Sequence, residues 1–209
     1  MSGPVFSPEC KLCPRLANFL EEVRQQHPDY YAKPVPPFGD AKARLLIVGL
    51  APGYHGANAS GRPFTGDFAG ILLYATLHAC GLSTAPISTS ATDGLKLLNC
   101  RITNAVKCLP PQNKPEPSEI NTCNGYLKTE LAGLKPGSVV LALGTIAHTA
   151  VLKAQGLKLS QYKFAHAAEH VLSGFTLIDS YHCSRYNTQT RRLTADMFKL
   201  VMTLAKSRL

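Results

Sequence analysis

The sequence predicts an α/β domain: a central four-stranded, mainly parallel sheet flanked by helices on both faces. Two observations predict it. Short apolar runs of strand length alternate with segments of helical periodicity along the chain. With 209 residues and 45% hydrophobic composition, the chain can bury one sizeable core, so residues 1–209 are expected to form a single domain with an N-terminal appendage. No internal repeat or low-complexity tract breaks the order.

Each element has its own warrant. In PRLANFLEEVRQQ (Pro14–Gln26), Leu16, Phe19, Leu20 and Val23 recur at helical spacing, Pro14 suits a first turn, and Pro28 lies just beyond the end. The proline-rich YYAKPVPPFGD reads as an extended connector. Arg44–Leu50 is the first strand, and Asp67–Cys80 is a helix with Gly81 as C-cap. Cys100–Val106 is the second strand, and Pro110–Pro117 a proline-rich loop. Ser118–Leu134 is a helix with Ser118 as its N-cap. Gly137–Leu143 is the third strand and Thr145–Gln155 a helix. After a turn at Ser173-Gly174, Phe175–Ser180 forms the fourth strand, and Thr188–Lys206 closes the chain as a helix.

The formal net charge of +9 suits a polyanionic partner, because Lys and Arg that neutralise phosphates release condensed counterions. No apolar run approaches the ~18 residues of a membrane span, and the N-terminus lacks a secretory pattern. A cytoplasmic, nucleoid-associated protein that meets no membrane is the expectation. The seven cysteines are an odd number without an export signal, which disfavours a disulfide framework and favours a metal site or buried thiols.

In open α/β sheets ligands sit at the carboxyl ends of strands. Three stretches fall there: GLAPGYHGANASGRPFTGDFAG (Gly49–Gly70), TNAVKC and YHCSRYN. The first is not a phosphate cradle. No Lys-Ser/Thr follows its glycines, and no paired glycine opens directly into a helix. It offers instead a backbone-rich bend, Gly49, Ala51 and Gly53, then the Phe64 ring and the Asp67 carboxylate. Such N–H groups can donate to an oxygen that gains charge, and an aromatic face can stack on a flat heterocycle. Asn104 carries both a donor and an acceptor and can read the O4/N3–H edge of a uracil-like base. His182 can donate to a developing anion. Each has a plainer reading: Phe64 in the core, Asn104 capping a loop, His182 satisfied at the surface. Together, on three strand ends, they describe a nucleobase site. Cys10, Cys13, Cys108 and Cys123 supply four thiolates that suit zinc or an iron–sulfur cluster. Cys80 and Cys100 read as core residues.

The three motifs, GLAPGYHGANASGRPFTGDFAG, ITNAVKCLPPQNKP and SYHCSRYNTQTRRLT, resemble those of the uracil-DNA glycosylase superfamily, specifically its iron–sulfur-containing family 5, over Cys10 to about Thr194. The resemblance implies a 4Fe-4S cluster on Cys10, Cys13, Cys108 and Cys123. It implies a monofunctional glycosylase that hydrolyses uracil, and other deaminated bases such as hypoxanthine, from double-stranded DNA. Asp67, His182 and Asn104 would be catalytic; Gly49, Ala51, Gly53, Phe64 and Ser184 would bind the base; Arg185, Tyr186 and Asn187 would contact DNA. A monomer is expected. Family-4 relatives carry an acidic residue beside the first-motif glycines, whereas this chain has Gly49-Leu50-Ala51-Pro52 and leaves the role to Asp67. The family's His-Pro-Ser is His-Cys-Ser here, so a proline no longer fixes the backbone after His182. A lyase step needs an amine, and strand alternation from Asn104 gives Val106 rather than Lys107 its face. The rival expectations are a uracil-only family-4 specificity and a zinc-stapled DNA-binding protein without catalysis.

Overall fold

The computed structural model describes residues 4–209. Its centre is a sheet of six strands rather than four, ordered β1-β3-β2-β4-β6-β5. The four expected strands are there: β2 (Leu45–Gly49), β3 (Cys100–Asn104), β4 (Ser138–Leu143) and β6 (Phe175–Ser180), all mutually parallel. Two short antiparallel strands, β1 (Phe38–Gly39) and β5 (Glu169–Val171), close the edges. Strands of two and three residues are too short to show a period, and β1 lies in the proline-rich connector. Short edges also limit the unpaired backbone offered to another chain.

Alternation along β2 assigns the two faces. Leu45 and Ile47 pack with Leu73, Leu77, Phe198 and Met202 under helices α3 (Phe68–Ala79) and α7 (Ala195–Ser207). Leu46 and Val48 pack with Leu127, Leu131, Ala147 and Val151 under α4 (Pro117–Ala132) and α5 (Thr145–Ala154). The first helix, α1 (Pro14–Gln26), buries Leu16, Leu20 and Val23 against Val106, Leu109, Cys123 and Tyr126 in a third cluster.

Two helices and one strand are bounded differently from the sequence reading. Helix α4 is capped by Glu116 rather than Ser118, because Pro117 takes the first helical position and Glu116 and Glu119 reciprocate in a capping box. The Glu119 carboxylate also accepts from Arg15 at 2.8 Å, tying α4 to α1. Strand β3 stops at Asn104, not Val106. The closing helix is two: α6 (Arg185–Gln189), a bend with Arg191 at φ 58°, then α7 with Thr194 accepting from the Met197 N–H. The four-residue α2 (Ala57–Ser60) lies inside the first loop. Gly81 takes a φ of 70°, the left-handed conformation expected after a helix end. No helix among the described residues is long and apolar enough to cross a membrane.

Two buried ionic groups brace the periphery. Asp179 on β6 accepts from His148 Nδ1 at 2.8 Å and His170 Nε2 at 3.1 Å, pinning α5 and β5 to the sheet. Arg62 pairs with Asp93 at 2.7 Å and donates to the Ala91 carbonyl and the Ser88 hydroxyl, fastening residues 85–95 to the first loop. Burial pushes the Asp93 carboxyl up, but the guanidinium and three backbone N–H groups overcome it and hold the group well below the usual carboxylate range. Asp93→Ala leaves Arg62, 4% exposed, without its counter-ion. The expected loss is about 3–5 kcal/mol of stability, read from urea unfolding midpoints.

Candidate active site

The parallel register aligns the strand ends that carry the site. Gly49 ends β2 opposite Asn104, which ends β3, and His182 follows β6 by two residues. These ends open on a cavity of about 400 Å³ whose walls include Ala51, Gly53, Phe64, Asp67, Asn104 and His182, with Ser184 and Arg185 at its side. Eight of the expected residues thus converge. Gly49 lies beneath the wall: a Cβ there would sit 2.4 Å from Asn104 Oδ1 and 2.7 Å from the Phe64 ring. Glycine at this position is what lets ring and amide meet. Gly49→Ala is expected to displace both and to cost about 10²-fold in kcat/KM, the penalty for ångström-scale misplacement, while the melting temperature moves little. Steady-state kinetics beside a thermal melt tests this.

Phe64 is held in a left-handed conformation, φ 58°. A conformation this costly for an aromatic residue persists only where the surroundings over-determine it. Gly70 permits it, since a Cβ there would come 1.7 Å from the Phe64 carbonyl oxygen. The buried ring faces His182 with centroids 6.0 Å apart and planes 29° from parallel. Asn104 is buried, and its Oδ1 has no hydrogen-bond partner.

Asp67 N-caps α3: Oδ1 accepts from the Gly70 N–H at 2.8 Å. Oδ2 faces the Gly53–Gly56 bend, 3.6 Å from where a Gly53 Cβ would stand. Burial raises the carboxyl pKa, with the Gly70 and Ala69 N–H groups pulling it back. Burial lowers His182 to about 4, so the imidazole is neutral at pH 7 and donates from one nitrogen. The His182 backbone is fixed without proline: the Asn187 amide donates to its carbonyl at 2.8 Å, and Cys183 is fully buried in the core. Asn187 therefore braces the loop, and Ser184 caps α6. Arg185 is exposed and lies over the Phe68 ring at 5.0 Å, and Tyr186 projects into solvent, 71% exposed.

Phe68, Ala69 and Asn113 also line the cavity and were not anticipated. Asn113 and its neighbour Gln112 both take positive φ, 56° and 54°, in the proline-rich loop. The Gln-Asn pair between prolines was the only local signal. Lys107 points elsewhere: its ammonium pairs with Glu130 and the Thr103 hydroxyl, buried beneath the sheet end.

The four cysteines come together at the other side of Asn104's loop. Cys10, Cys13, Cys108 and Cys123 share the cluster formed by α1, Val106 and Tyr126. Cys10 Sγ accepts from the Tyr126 hydroxyl and Cys123 Sγ from the Lys107 N–H, both at 3.3 Å. Burial raises the Cys123 thiol to about 11 against the pull of Lys107. Among the described residues, the three ligating side chains whose atoms all fall within 4.8 Å of one another are His148, His170 and Asp179, not cysteines. Four thiols gathered at one place are a donor set that fits zinc or an iron–sulfur cluster. Cys80 and Cys100 are core thiols, as expected.

A buried ring, a buried amide, a neutral imidazole and a carboxyl of raised pKa around one cavity define a protein that takes a flat heterocycle and can act on the bond beside it. The model of the uracil DNA glycosylase superfamily matches residues 36–206. Proteins described as type-5 uracil-DNA glycosylases are similar along nearly the whole chain. That of Thermus thermophilus is 48% identical over 203 residues, covering 94% of this chain and 92% of its own. That of Pyrobaculum aerophilum is 40% identical over 197 residues, covering 92% and 86%. The Mycobacterium leprae protein is 41% identical over 206 residues, covering 94% and 90%. The chain belongs to the uracil-DNA glycosylase superfamily, in its type-5 branch.

Proposed function

We propose that the chain excises uracil from double-stranded DNA by hydrolysis of the N-glycosidic bond, leaving an abasic site, as a monomer of the cytoplasm and nucleoid. The observation that carries the reading is the convergence of the Asn104 amide, the Phe64 ring, His182 and Asp67 on one cavity. Turned toward an everted uracil, the Asn104 amide accepts from N3–H with its oxygen and donates to O4 with its nitrogen. Cytosine presents the opposite pattern at that edge and is refused. Phe64 stacks on the ring. As the C1′–N1 bond breaks, its electron pair moves onto the base, where the neutral His182 and the backbone N–H groups at Ala51–Gly53 donate to the charge. Asp67 offsets the cationic sugar and positions the water whose oxygen joins C1′. No lysine is among the residues lining the cavity, in keeping with a monofunctional enzyme. Arg185 and Tyr186, exposed beside the cavity, would meet the duplex.

Hypoxanthine offers N1–H and O6 in the same order as the uracil edge, and a cavity of about 400 Å³ has room for a purine. We therefore extend the proposal to deaminated purines. Incubation with duplexes containing uracil, hypoxanthine or no lesion, followed by alkaline cleavage, tests both. Cleavage of the uracil duplex alone removes the extension, and cleavage of neither removes the reading.

Cys10, Cys13, Cys108 and Cys123 would hold a 4Fe-4S cluster that staples the N-terminal segment to the loop after Asn104. Its chemistry when bound is structural thiolate ligation. Cys123→Ser is expected to lose iron and acid-labile sulfide together, and to melt well below the parent because the third cluster loses its central tie. Retention of iron, or zinc in its place in the parent, would overturn the assignment.

A further inference from the structure

A second cavity of about 570 Å³ adjoins the first and shares Phe64, Asp67, Phe68 and Arg185 with it. Beyond these its wall is two glycines, two isoleucines and Ser88. Ile71, one turn along α3 from Phe68, and Ile87 are each 68% exposed. Single exposed apolar side chains are ordinary; two on one groove beside a ligand cavity form a patch. Nor does Ile87 sit on a loose loop. The adjacent Ser88 hydroxyl bonds Thr65 at 2.7 Å and Arg62 at 2.9 Å, and Arg62 is locked to Asp93 and Ala91. A buried ion pair thus holds an isoleucine out in water at the rim of the site. Between the two cavities stands Arg185, lining both with its guanidinium over Phe68.

We infer that this groove seats the nucleobase next to the everted one in the damaged strand, with Arg185 on the phosphate that joins the two nucleotides; the inference rests on the glycosylase reading. Everting one nucleotide strips its neighbours of a stacking face. Apolar side chains such as isoleucine are used against base faces exposed in this way. A guanidinium that lines both cavities stands where the phosphate joining two consecutive nucleotides would pass, and its planar fork suits phosphate oxygens. The groove then lowers the cost of eversion by giving the orphaned neighbour an apolar partner, which favours binding over chemistry.

The test uses the holoenzyme and uracil duplexes in which the 5′ or the 3′ neighbour is either a normal nucleotide or a baseless tetrahydrofuran. For the parent, removing the base on the groove side should leave KM about tenfold higher than removing the base on the other side, the scale of one lost stacking contact, with kcat unchanged. The Ile71→Ala, Ile87→Ala double variant should show the raised KM on the intact duplex and no further rise on the baseless one. Both positions are exposed, so its melting temperature should match the parent; Ile87→Ser alone provides a milder second variant. Independent, multiplying effects of variant and base removal, or no effect of either, would overturn the groove. So would a concentration-dependent dimer that the double variant dissociates, since the groove would then be an interface between copies. A parent inactive on every uracil duplex refutes the glycosylase reading itself; an active parent indifferent to its neighbours refutes this inference alone.

Discussion

Asp67→Asn is expected to lower kcat/KM for uracil release by about 10²–10⁴-fold, the range for a positioned carboxylate. Asparagine is the informative replacement because it caps a helix about as well as aspartate. The Gly70 contact at 2.8 Å and the start of α3 survive, and only the charge is lost. The pH dependence separates roles. Burial lifts the Asp67 pKa above its ordinary value of 3.8, and the ionised form does the work. The parent's kcat/KM should therefore rise with pH through a carboxyl ionisation above that value and then stay level. The Asn variant should lack this rise. Loss of the cap as well as the charge in Asp67→Ala should add about 1 kcal/mol of destabilisation. An Asn variant that kept parental activity would remove Asp67 from the reaction and leave it only as a cap.

His182→Ala should reduce kcat by about 10²–10³-fold, the usual cost of one donor to a developing anion, with KM nearly unchanged because the interaction grows as the bond breaks. The imidazole is neutral: burial holds it at about 4. The loss should thus be the same from roughly pH 5.5 to pH 8, with no inflection near the unperturbed histidine value of about 6.5. His182→Gln, which keeps an N–H, should recover part of the rate. A penalty that faded as pH rose through 6–7 would show that an imidazolium is the donor, and the burial argument would fail with it.

The sequence by itself determined the α/β class, the four parallel strands and the stretches that meet at their carboxyl ends. These features are written in local periods and at strand ends, where the topology of a parallel sheet leaves few places for a ligand. The lengths of β1 and β5, the cap of α4 and the break before α7 were settled by tertiary pairing and capping, which two- or three-residue signals do not announce. Other facts were legible only in three dimensions. Gly49 reads as a wall residue along the chain, yet it lies beneath the site and works by leaving space for Phe64 and Asn104. Asn187 reads as a DNA contact, yet its amide is spent on the His182 carbonyl in place of the missing proline. Asn113 lies within ITNAVKCLPPQNKP with only its neighbouring Gln and prolines to mark it, and Ile71 and Ile87 lie outside every motif. Sequence fixes which chemical groups a chain owns; burial decides their protonation, and packing decides which of them face each other. Those two depend on contacts between residues far apart in the chain, as Gly49 with Asn104 and Arg62 with Asp93 show.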